Sequence, residues 1–194
     1  MKTYLLTTIA FLLITMAAQA QSINLGIKGG LNAYTIKGDN SDDFDPKYSF
    51  HVGLLGHIHM SDEIAIQPEI YYSAQGTQYK SNGSDLKLNL NYVNVPLLLQ
   101  YMFDNGFRLQ AGAQLGILAS AKSEIGGTTT DVKSSFKGTD IAGVVGMSYV
   151  KPSTGLGFDI RYNYGVTNIS ENDNIESFNR GFQVGIFYLF KHRD

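Results

Sequence analysis

The sequence predicts an all-β fold, an eight-stranded antiparallel up-and-down transmembrane β-barrel. Three observations carry this expectation. Apolar and polar residues alternate with a period of two through eight successive segments after residue 20. Successive strand residues point to opposite faces, so each segment reads as a strand with one apolar face. The connections alternate long and short, and the short ones are "SDE" (61–63), "DNG" (104–106) and "KPST" (151–154). Finally, the chain opens with an export signal.

That signal occupies residues 1–20. Lys2 precedes the nearly uncharged apolar run Tyr4 to Met16, and Ala18-Gln19-Ala20 is a small-x-small cleavage site. This is the layout of a secretory signal peptide. The run is shorter than the roughly 20 residues a spanning helix needs. No Cys follows the cut, which argues against a lipoprotein anchor. The expected domains are therefore a signal peptide at 1–20 and a barrel at 21–194. The chain has no Cys and a formal net charge of -2. Thiolate metal sites and cysteine nucleophiles are excluded. The charge points to no nucleic-acid partner, and no phosphate loop, dinucleotide fingerprint or basic stripe is present.

The strands follow in order. Ile23, Leu25, Ile27, Leu31 and Ala33 alternate with Asn24, Gly26, Lys28, Gly30 and Asn32. The acidic stretch 38–47 breaks the pattern. Tyr48, Phe50, Val52, Leu54 and Ile58 then form a second apolar face, with Leu55 alone out of phase. Ile64, Ile66, Pro68, Ile70, Tyr72 and Ala74 form a third, opposed by Gln67, Glu69, Tyr71, Ser73 and Gln75. After polar residues 77–85, a long strand runs from Leu86 to Phe103. Its apolar face changes from Leu86, Leu88, Leu90 and Tyr92 to Val95, Leu97, Leu99 and Tyr101. A one-residue slip would flip the side chains, so a β-bulge is expected near Val93-Asn94, next to Pro96. The fifth strand alternates from Phe107 to Ala119, and 122–139 is expected to be a polar loop. Ile141 to Tyr149 and Leu156 to Val166 are the sixth and seventh strands. Residues 168–179 lead to the last strand, whose apolar face is Phe182, Val184, Ile186, Tyr188 and Phe190.

A period of two does not say whether the apolar face is a core or a coat. A soluble, lipocalin-like barrel would place that face inside and cover its exterior with solubilising charges. Here the polar faces carry Gly between Asn, Gln and Ser, which suits the crowded inside of a narrow barrel. Their few charges are Lys28, Glu69, Lys87, Arg108, Asp140, Asp159 and Arg161. Lys28, Glu69, Arg108, Asp159 and Arg161 are expected to form a polar network in the lumen, since buried charges need partners. On the apolar faces, aromatics gather near strand ends: Tyr48, Phe50, Tyr101, Phe103, Phe107, Tyr149, Phe158, Phe182, Tyr188 and Phe190. Aromatic rings favour the two membrane–water interfaces. An even strand count, short turns at one end, long loops at the other and export describe an outer-membrane barrel. Its termini and short turns are expected in the periplasm.

The runs "LGIKGGLN" (25–32), "PEIYYSAQG" (68–76), "LNYVNVPLLLQY" (90–101), "AGAQLGIL" (111–118) and "IRYNYGVTNI" (160–169) resemble the PorT-type outer-membrane β-barrel family of Gram-negative bacteria. The resemblance spans the mature chain. It implies an integral outer-membrane barrel, porin-like in build, and a link to protein secretion across that membrane. It also implies outer-membrane lipids and the barrel-assembly machinery as partners. Phe190 resembles the aromatic insertion signal read by that machinery, although four residues follow it.

Candidate chemistry is sparse. His51, His57 and His59 share one strand face, but two or three His offer few metal ligands. The acidic run 39–45 lacks the Gly and distal Glu of an EF-hand loop. Ser49, Ser73, His51 and Glu69 could be assembled into a hydrolytic triad, yet no nucleophile elbow marks them. No cofactor and no enzymatic activity are expected. The expected role is structural or interactive, through loops 37–47, 77–85, 122–139 and 168–179, with the loop partner unassigned. The alternatives are a narrow porin-like channel or secretion accessory, and an outer-membrane lipid-modifying enzyme. Folded in detergent, the protein should migrate differently on a gel before and after boiling. Equal mobility, with recovery as a soluble protein, would place the apolar faces inside.

Overall fold

A computed structural model describes residues 23–38, 45–81 and 84–190 of the chain. The expected signal peptide at 1–20, most of the acidic run 39–45 and residues 191–194 lie outside the described residues. The described chain forms β1 (Ile23–Gly38), β2 (Asp45–His59), β3 (Ile64–Ser81), β4 (Ser84–Met102), β5 (Phe107–Ile125), β6 (Thr128–Asp131), β7 (Thr139–Val150), β8 (Leu156–Gly165) and β9 (Ser177–Leu189). Pairing is antiparallel in the order β4-β3-β2-β1-β9-β8-β7-β5-β6, and β4 also pairs with β5. That last pairing closes eight strands into a barrel, with β6 as a short flap on the outer end of β5. Closure leaves the eight staves no free edge, the condition for crossing lipid with strands.

The stagger is read by walking round the wall through paired residues. Phe107 pairs with Tyr149, then Phe158, Ile186, Gly29, Val52, Tyr72, Val93 and finally Ile117. The walk returns to β5 ten residues further along. Eight strands with such a stagger tilt by roughly 35–45° and leave an interior that side chains can fill.

The apolar faces are a coat. Leu31 is 66% exposed while its neighbour Asn32 is 1% exposed. Phe182, Val184, Ile186, Tyr188 and Phe190 all point outward. At the short-turn end the outward rings cluster: Tyr101 lies 5.0 Å from Phe103, Phe103 5.7 Å from Phe107, and Tyr188 5.9 Å from Phe190. Tyr149 pairs with both Phe107 and Phe158 in the same region. Phe107 is only half exposed. A second band runs towards the long connections, where Tyr48 is outward, Phe50 meets Tyr72 at 5.8 Å and Phe182 meets Tyr162 at 4.7 Å.

Three expectations are corrected. The alternation of β4 does not slip. Leu90, Tyr92, Asn94, Leu98, Gln100 and Met102 all face inward. The face changes its chemistry, from apolar at the barrel mouth to polar below. The irregularity lies on the neighbouring strand, where Asn91 pairs with Ser120 but Tyr92 with Leu118, leaving Ala119 as the extra residue. For the same reason Lys87 is exposed rather than luminal. Residues 77–85 are mostly strand, because β3 and β4 stay paired out to Ser81 and Ser84. Residues 122–139 likewise contain the β5–β6 hairpin, turned at Gly126 and Gly127 with φ of 55° and 84°.

Inside, glycines make room for rings. A Cβ on Gly157 would fall on the Phe187 ring, and one on Gly181 would fall on the Tyr34 ring. Gly143, on the outer face, has open space around the corresponding position. Gly157→Ala is expected to cost about 1–3 kcal/mol through overpacking. Gly143→Ala should stay within about 0.5 kcal/mol of the parent. Urea unfolding in lipid vesicles measures both, and equal stabilities would contradict the packing described.

Candidate functional site

The polar faces meet inside the barrel. Glu69 on β3 and Arg161 on β8 stand four strands apart in either direction, so they lie on opposite walls. Their side chains join across the lumen as a two-pronged pair, Nη1 to Oε2 at 2.8 Å and Nη2 to Oε1 at 2.7 Å. The planar guanidinium matches the carboxylate in this geometry. Lys28 on β1 adds Nζ at 3.0 Å from Glu69 Oε2 and 3.5 Å from Asp159 Oδ2. Asp159 Oδ2 lies 2.6 Å from Arg161 Nε, a close ion contact between residues two apart on one strand face. Gln67 donates to Glu69 Oε1 at 2.6 Å. Two cations thus meet two anions, with Lys28 also 5.0 Å from the centre of the Tyr71 ring.

Above this group lies a neutral layer. Tyr71 donates to Gln114 Oε1 at 2.5 Å, and its oxygen is 3.2 Å from Gln183 Oε1. Gln183 donates to Asn32 Oδ1 at 3.1 Å. Asn32 Nδ2 donates to the carbonyls of Phe50 and Ala74 and to Ser73 Oγ. Asp140 lies towards the long connections, accepting from Asn179 at 2.9 Å and Thr167 at 3.0 Å.

Apolar layers seal both ends. Leu55, Val150, Phe187 and Leu189 form one at the short-turn end. Leu55 was the residue out of phase in the sequence, and this layer accounts for it. Ile36, Leu90, Tyr92, Leu118, Ala121 and Ile169 form the other, with Val132 and Phe136 folded over it from the long connection. Phe136 is fixed by a bridge to Ser170. No periodicity marked Ile169 or Phe136, because both belong to loops.

Lys28, Glu69, Asp159 and Arg161 are therefore brought together, and Arg108 is not. Arg108 lies apart, with Nη1 3.4 Å from His57 Nδ1. His57 and His59 stack edge to face at 4.5 Å, whereas His51 is bound to Asn32 Oδ1 at 2.8 Å. Among the described residues, no three His, Asp or Glu are grouped to hold a metal ion. Ser49 donates to the Ala74 carbonyl rather than to His51. Glu69→Gln should leave Arg161 and Lys28 short of a counter-charge in the barrel centre. Breaking a buried pair in this way costs about 3–5 kcal/mol. A vesicle-bound urea titration is expected to show that loss, and a change below about 1 kcal/mol would mean the network is solvated.

Comparison with known proteins places this geometry in a family. The family model described as "Outer membrane protein beta-barrel domain" matches residues 18–171. A search of curated proteins gave no match. Among solved structures, neisserial surface protein A aligns with a TM-score of 0.54 and 15% identity, over 88% of this chain and 100% of that one. The attachment invasion locus protein Ail of Yersinia pestis aligns at 0.49 and 14%, over 85% and 98%. The outer membrane protein OprG of Pseudomonas aeruginosa aligns at 0.42 and 15%, over 86% and 95%. The alignment with neisserial surface protein A bears on the fold alone. With the family match over most of its length, the chain belongs to the outer membrane protein β-barrel domain family.

Proposed function

We propose that the protein is a closed outer-membrane barrel that acts through its long-connection end, as a structural or interaction module rather than a pore. The observation that supports this reading is the filled lumen. An ion group bridges opposite walls, and an apolar layer lies on either side of it. A hydrated ion would have to break a bidentate pair and cross two dry layers. At the long-connection end the β3–β4 and β5–β6 hairpins extend well-formed backbone pairing beyond the bulge level. Every residue of β6 is exposed. Ordered hairpins offer a binding surface with less entropy to lose than a floppy loop.

In this reading the signal peptide exports the chain, the assembly machinery inserts it, and outer-membrane lipids cover the apolar coat. The short turns then face the periplasm and the hairpins face outward. The PorT-type resemblance favours a more specific task, an accessory role in protein secretion. Its most specific runs, Pro68–Gly76 and Val95–Leu98, lie in the adjoining walls of β3 and β4. That wall would be the place to crosslink a secretion partner.

Reconstituted in planar bilayers, the protein should give no large, steady conductance. A stable open level in the wild type would overturn the closed-lumen reading and favour a narrow channel.

A further inference from the structure

The inward cations are not equally provided for. Lys28 and Arg161 face Glu69 and Asp159. Among the described residues the remaining buried acid, Asp140, is held towards the long connections by Asn179 and Thr167. Arg108 near the start of β5 is 3% exposed. Among the described residues it forms no ion pair. Its contact with His57 Nδ1 is long at 3.4 Å and involves a ring nitrogen that must be unprotonated to accept. An arginine does not shed its charge on burial. A buried cation therefore calls for a counter-charge from elsewhere.

The wall beside Arg108 supplies unpaired donors; the unpaired acceptors near it are Gln100 Oε1 beside Gln110 and Oδ1 of Asp159, the register partner of Ser148 on β8. Ser148 on β7 is the direct register partner of Arg108. Gln110 follows two residues along β5 and shares its inward face. Both are buried, and neither Ser148 Oγ nor Gln110 Nε2 has a hydrogen-bond partner. Gln100 donates to Gln110 Oε1 at 2.9 Å. Gln100 Oε1 is unpartnered too, and reversing both amides only exchanges the spare nitrogen and spare oxygen between the two residues, so one amide donor and one amide acceptor remain in either arrangement. A guanidinium, a hydroxyl and an amide thus stand on adjacent positions of one wall. We propose that Arg108, Ser148 and Gln110 form a site for a small halide-class anion in the short-turn half of the lumen. A compact sphere suits a packed interior and accepts from several donors without offering one.

The test uses the full folded protein in detergent, with sodium chloride as the probe and sodium gluconate at equal ionic strength as control. Chloride should raise the melting temperature saturably, and gluconate should not. Arg108→Met should abolish the difference. Met102 is the register partner of Arg108 on β4 and faces inward. Met102→Glu would supply the missing carboxylate from a side chain of similar size. It should raise the melting temperature in chloride-free buffer and remove the chloride response, whether or not the Arg108 variant folds. Identical responses to both salts, or a chloride response that survives Met102→Glu, would overturn the site. Wild-type crystals grown in bromide give an independent readout. An anomalous peak beside Arg108 and Ser148 is expected, and its absence from a well-diffracting crystal overturns the proposal.

Discussion

The structure depends on one geometric constraint. Eight strands staggered by ten residues enclose a space too narrow for a water column and too wide to be left empty. Side chains must fill it, and the lipid outside takes the apolar ones. The interior is therefore left to polar residues, which have to satisfy one another. The Arg161–Glu69 pair does this at the widest separation available, between strands on opposite walls. Lys28 and Asp159 complete a charge-balanced group around it.

Glycine and aromatic residues share the same constraint at smaller scale. Where the wall must admit a ring, the facing position gives up its side chain, as with Phe187 over Gly157 and Tyr34 over Gly181. These rings contribute to the apolar layer at the short-turn end and to the upper lumen. The centre is polar and held by charge. Towards the ends it gives way to dry layers that separate the ion group from bulk water. In low dielectric the attraction between these charges is stronger, but so is the penalty for any group left unmatched. Arg108 is the place where that balance is least complete among the described residues.

The long-connection end differs from the short-turn end in kind. Three tight turns close one end, and Gly106 and Gly155 supply the positive φ that two of them need. At the other, β3, β4, β5 and β6 extend as a continuous paired sheet. One segment of the connection following β6 packs Val132 and Phe136 back onto the mouth. Among the described residues, much of this end is thus paired backbone, with Val132 and Phe136 covering the mouth.

Sequence alone determined the fold class, the strand order in time, and which face of most strands meets lipid. A period of two is local, and aromatic residues near strand ends with Gly, Asn and Gln on the other face distinguish a coat from a core. It also marked the residue types of the luminal network, since few charges interrupt those faces. Tertiary structure decided what those charges do. Glu69 and Arg161 are far apart in sequence, and only closure with its stagger makes them opposite neighbours. The same closure separates Arg108 from the group it was expected to join. Leu90 and Tyr92 were assigned to the wrong side because a change from polar to apolar filling inside the barrel imitates a change of phase. Whether such a position faces lipid or a dry lumen depends on its height in the closed wall, which periodicity does not encode.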